Sequence, residues 1–142
     1  MILENVLINM NKCGGVLVVE DDTDIRETVQ QILESEGYLV HTATNGKEAI
    51  EALKLIAEPC LILLDLMMPV MNGWEFLKER QKNNMLSSLP VVVVSAVDYQ
   101  AKSLTADQVV RKPPDIDLLL KLVSQYCLSA AEVAQKSVQS AA

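Results

Sequence analysis

Cys60-Leu61-Ile62-Leu63-Leu64-Asp65 is the stretch that decides the fold: five apolar residues in a row, closed by a carboxylate. A strand with one wet face alternates apolar and polar side chains, whereas a run that is apolar at every position fits a strand covered by helices on both faces. The run therefore predicts the central strand of a parallel sheet. On either side, short runs rich in Val, Leu and Ile alternate with longer stretches of helical period, the pattern of successive βα units.

Upstream, Val16 to Val19 reads as the first strand, and Asp24 to Glu36 as a helix with Ile25, Val29, Ile32 and Leu33 on one face, ended by Gly37. Tyr38 to Ala43 is a second strand, and Asn45 to Ala57 a helix with Ala49, Leu53 and Ile56 inward. Downstream of Asp65, Trp74 to Asn83 reads as a third helix and Val91 to Val94 as a fourth strand ending at Ser95. A fifth strand, Val109 to Arg111, leads through Lys112-Pro113-Pro114 to Asp115, which N-caps a last helix running to Leu128. Its inward stripe is Ile116, Leu119, Leu120, Val123 and Cys127. Leu118 and Leu122 fall beside that stripe, to be covered by the tail or used as a homodimer or partner contact.

Ligands of open parallel sheets sit beyond the carboxyl ends of the strands. Those ends carry Glu20-Asp21-Asp22, Asp65, Ser95 and Lys112. Carboxylates brought together repel one another unless they share a cation, and hard oxygen ligands suit Mg2+. Lys112 and Ser95 could hold the oxygens of a phosphoryl group on Asp65. Taken singly, Ser95 reads as a strand-end turn residue and Lys112 as a solvated lysine. Asp22 or Thr23 reads as a helix cap, with Asp24 and Glu27 as favourable first-turn charges. Asp65 differs, because a carboxylate at the edge of a buried strand is costly without a use. His41, on an edge strand, reads as solvated.

The 142 residues predict one domain, and with half of them hydrophobic and 22% charged the chain can bury a core. Twelve Lys and Arg against 19 Asp and Glu give a net charge of -7, with the bases scattered, which argues against a nucleic-acid surface. The apolar runs are far shorter than the ~20 residues of a membrane span. Met1 to Met10 makes a poor secretory signal, so the expected location is the cytoplasm. Cys13, Cys60 and Cys127 have no metal-like spacing and read as reduced thiols.

Four ordered motifs resemble those of response regulator receiver domains. They are Val18-Val19-Glu20-Asp21-Asp22, Leu63-Leu64-Asp65-Leu66-Met67-Met68-Pro69-Val70-Met71-Asn72-Gly73-Trp74, Val93-Val94-Ser95-Ala96 and Arg111-Lys112-Pro113. The resemblance implies a flavodoxin-like (βα)5 three-layer α/β sandwich with parallel strand order 2-1-3-4-5. It divides the chain into a leader (1–14), a receiver domain (15–128) and a tail (129–142). It names Asp65 as phospho-acceptor from a histidine kinase or histidine phosphotransfer protein. Asp21, Asp65 and the backbone carbonyl of Met67 would bind Mg2+, with Glu20 acting through a water. Lys112 would pair with the phosphoryl group, Ser95 would hydrogen-bond it, Ala96 would leave room for access, and Lys112-Pro113 would be cis. Such a chain is a signalling carrier that acts through a downstream protein; the only catalysis implied is its own phosphotransfer and autodephosphorylation. The latter is expected to be slow, because apolar Met67 and Val97 flank the path of water.

The segment from Ser95 to Lys112 departs from that family's pattern. Only 16 residues separate the two, which predicts a shortened fourth helix at Tyr99 to Thr105. The family's aromatic switch position is Val109. A degenerate receiver serving as a phosphorylation-independent binding module is therefore the rival reading. A flavin carrier would need a phosphate loop where Glu20-Asp21-Asp22 stands. A phosphatase of this chemistry would place a second aspartate at Met67.

Overall fold

The computed structural model describes residues 14–56, 59–96 and 106–127. Strands β1 (Val16–Val19), β2 (Val40–Ala43), β3 (Leu61–Leu64), β4 (Val91–Ser95) and β5 (Gln108–Arg111) form one sheet in the order β2-β1-β3-β4-β5. Every neighbouring pair is parallel. Among the described residues the helices are α1 (Thr23–Ser35), α2 (Gly46–Leu55), α3 (Gly73–Lys82) and α4 (Ile116–Tyr126).

The unbroken apolar runs are explained by two cores, one on each face. Val16, Val18, Leu61, Leu63 and Val92 point to the face shared with Leu33 of α1 and Leu119, Leu122 and Val123 of α4. Leu17, Val19, Ile62, Leu64, Val91 and Val93 point to the other, against Ala49 and Leu53 of α2 and Phe76 and Leu77 of α3. Alternate residues of one strand thus feed opposite cores, so neither face can be polar. Each fully buried Leu, Ile or Phe contributes roughly 1.5–3 kcal/mol.

Side-chain caps fix where the helices begin. Asp22 accepts from the Ile25 N–H, Asn45 from Glu48, and Asp115 from Asp117 and Leu118. At α3, Asn72 and Glu75 form a reciprocal capping box. The sequence limits for β2, α2 and α4 overran by one to two residues, because Tyr38 and Leu39 lie outside the ladder, Ile56 is extended, and α4 ends at Tyr126. The expected short helix at Tyr99 to Thr105 lies outside the described residues.

Three expectations are corrected. Cys60 and Cys127 are not reduced thiols but a disulfide: α4 ends beside the start of β3, bringing their Cα atoms to 5.6 Å, within the reach of such a bond. Leu118 and Leu122 are not a shared exposed pair. Leu119, Leu122 and Val123 face the sheet together, Leu118 is 44% exposed, and Ile116, placed on the inward stripe, is exposed in the first turn. His41 is half-buried, and its Nε2 donates to the Gly14 carbonyl at 2.9 Å.

Candidate functional site

The carboxyl ends of β1 and β3 lie level, because Val19 pairs with Leu64 in register. One residue further on, the Asp65 N–H donates to the Val19 carbonyl at 3.0 Å, and the Glu20 N–H to the Ala43 carbonyl at 3.0 Å. Both acids are therefore fixed by the ladder itself. Carboxylate oxygens of Glu20, Asp21 and Asp65 all lie within 4.8 Å of one another. Glu20 and Asp65 are buried, while Asp21 is exposed.

Lys112 enters from β5. Its N–H donates to the Ser95 carbonyl at 2.9 Å, and the Lys112–Pro113 bond is cis. The ammonium pairs with Oε1 of Glu20 and stands 3.5 Å from Oδ1 of Asp65. Glu20 Oε2 accepts the Asp22 N–H at 3.3 Å. Ser95, the last residue of β4, is buried, and Ala96 after it is exposed. Met67 is exposed; Val97 lies outside the described residues. Val109 is 39% exposed on β5.

Burial pushes the Glu20 carboxyl up to about 7; the Lys112 hydrogen bond opposes this, and Asp65 adds to it. Burial pulls Lys112 down, but Glu20 and Asp65 outweigh it and leave the ammonium above its ordinary value. With all four groups ionised, three carboxylates and one ammonium leave two negative charges, which suits a divalent ion with oxygen ligands. The donor set fits such a metal.

Two positioning residues were given no role in the reading of the sequence, although Gly73 stands in its second motif. Arg26 donates from Nη1 to the Glu20 carbonyl at 2.9 Å and tethers α1 to the end of β1. Gly73 donates its N–H to the Leu66 carbonyl at 2.9 Å, and a Cβ there would sit 2.6 Å from the Asp65 carbonyl oxygen. A glycine opening a helix just after a strand-end acid was the available signal. The same loop bends sharply at Val70, whose φ is 69°, and the Met71 N–H closes onto the Pro69 carbonyl at 2.8 Å.

Residues 16–124 match the family of response regulator receiver domains. The transcriptional regulatory protein CrdR of Helicobacter pylori is 37% identical over 116 residues, covering 78% of this chain and 54% of that protein. A 14.6 kDa uncharacterized protein of Leptolyngbya boryana is 35% identical over 119 residues, covering 80% and 90%. The chain thus spans about half of one relative and nearly all of the other. The chemotaxis response regulator CheY4 of Vibrio cholerae superposes with a TM-score of 0.70 at 30% identity, covering 78% of this chain and 96% of that one. Because the family match runs from the first residue of β1 into α4 and takes in every described strand, the chain belongs to the response regulator receiver domains of two-component signalling.

Proposed function

We propose that this receiver accepts a phosphoryl group on Asp65 from a phosphohistidine on a histidine kinase or histidine phosphotransfer protein, and signals through a downstream protein in the cytoplasm. The receiver would span 15–128, flanked by a leader and a tail. The observation that carries the reading is a buried acceptor carboxylate with an ammonium 3.5 Å away, inside a cluster of three acids.

In this reading Asp21, Asp65 and the Met67 carbonyl would hold Mg2+, with Glu20 acting through a water, and the ion would supply positive charge to offset that on the transferring oxygens. Asp65 attacks phosphorus in line, so that a P–O bond forms as the P–N bond to the imidazole breaks. Lys112, within reach of both acids, turns from Glu20 to a phosphoryl oxygen. The Ser95 hydroxyl donates to another, and the small side chain of Ala96 leaves access open. Later attack by water returns phosphate, slowly where Met67 shields the site. The net charge of -7 opposes nucleic acid as a partner. Among the described residues no helix is long and apolar enough to cross a membrane.

Incubation with acetyl phosphate and Mg2+ tests the proposal. The intact mass is expected to rise by one phosphoryl group, with no gain in Asp65→Ala or after chelation. No gain in the natural chain, or equal gain in the variant, overturns it.

A further inference from the structure

The acidic site makes no use of the bond between Cys60 and Cys127. Cys60 enters β3 at the end opposite Asp65, and Cys127 closes α4 at the end opposite Asp115, which follows the Lys112 turn. α4 is therefore anchored twice, through Lys112 and Glu20 at its start and through sulfur to β3 at its finish. Both cysteines border the core formed by Leu61, Leu63, Leu119, Leu122 and Val123. The family match also stops at residue 124, before Cys127. Accessibility is unequal: Cys127 is 3% exposed, whereas Cys60 is only partly buried. Of the two, Cys60 is the residue nearer to solvent.

We propose that Cys60–Cys127 is a reversible thiol–disulfide site, opened by a dithiol reductant and reclosed by a peroxide, and that opening releases the C-terminal end of α4. In the opening step a reductant thiolate attacks Cys60 Sγ, the Sγ–Sγ bond breaks, and Cys127 leaves as a thiolate that takes a proton. The reductant's second thiol then displaces Cys60, which takes up that thiol's proton, and the reductant departs as a disulfide. Two electrons and two protons have passed to the pair. In the return step the Cys60 thiolate attacks hydrogen peroxide to give a sulfenic acid and hydroxide, which takes up the proton the thiol released and leaves as water. The Cys127 thiol displaces a second water as the disulfide reforms.

The oxidised bond joins residues 67 apart in sequence, and beyond it α4 closes on the Cys127 N–H to Val123 carbonyl bond. Opening should therefore be felt first in the last turn of α4. The test uses the full chain under native conditions at neutral pH, before and after dithiothreitol and then hydrogen peroxide. N-ethylmaleimide is expected to label Cys60 and Cys127 only after reduction. Hydrogen exchange over residues 119–127 should then quicken about tenfold and Tm should fall by about 10 °C, with peroxide restoring both. Cys60→Ser should match the reduced state without treatment, and Cys127→Ser serves as a second variant should the first not fold. Labelling of both cysteines before reduction, resistance to native reduction, or unchanged exchange in α4 after opening each overturns the proposal. Phosphoryl gain on Asp65 is read separately and is not required for any of these outcomes.

Discussion

Lys112 and Glu20, 92 residues apart in the chain, form an ion pair with side chains only 15% and 5% exposed. The lysine is thus occupied by a buried acid while remaining 3.5 Å from Asp65. Phosphoryl transfer to Asp65 would have to compete with Glu20 for it.

Replacing Lys112 by Met removes the cation from two buried acids. We expect a loss of about 2 kcal/mol in urea unfolding at pH 8, because a buried charge is left unpaired. At pH 5 the loss should be smaller, since Glu20 then carries a proton. Equal losses at both pH values would contradict this account.

Glu20 also sets a pH dependence. Its folded value of about 7 lies above the ordinary 4.5, so the folded chain holds more protons between those limits. Stability should fall as pH rises from about 4.5 to 7, and the cost is fully present above 7. Unfolding curves across that range should show the slope in the metal-free chain. Glu20→Gln should flatten it.

Gly73→Ala places a methyl group 2.6 Å from the Asp65 carbonyl oxygen and 2.8 Å from the Leu66 Cα, both backbone atoms. Neither can yield without moving the backbone at the end of β3. We expect a loss of about 2–3 kcal/mol and slower labelling of Asp65 by acetyl phosphate. Labelling at the natural rate would show that the contact does not position Asp65.

Val70 is a β-branched residue at a φ of 69°, and it is exposed. That conformation costs roughly 1–2 kcal/mol for an L side chain. Val70→Gly should therefore raise stability by about 1 kcal/mol, less the entropy that glycine adds to the unfolded chain. A fall in Tm would mean that the side chain makes contacts outweighing its strain.

The three central strands could be read from the sequence because each is an unbroken apolar run, and two of the caps because Asp22 and Asp115 stand just before helical periods; Asn45 and Asn72 were not read as caps. The strand-end acids were legible for the same reason: a parallel sheet brings its carboxyl ends together. Pairings set by tertiary distance were not. Nothing local tells Cys60 that α4 will finish beside it, or Lys112 that Glu20 will take its ammonium. Arg80 resembles an exposed helix cation, yet it is 7% exposed and Nη2 donates to the Leu89 carbonyl. Burial lowers its pKa, with Asp107 opposing. Asp107 in turn accepts the Val91 N–H at 2.8 Å, a lock on the start of β4 that no periodicity announces.

The loop after Asp65 is braced from two sides, by Gly73 on the Leu66 carbonyl and by the Gly46 N–H on the Met71 carbonyl at 2.8 Å. These two bonds tie the end of β3 to the openings of α2 and α3 beside Asp65. On the opposite flank, beyond the ends of β4 and β5, Ser95 and Lys112 are joined by one backbone bond. If Asp65 carries the phosphoryl group, the charge it gains is felt across to β5, through the Lys112 ammonium 3.5 Å away.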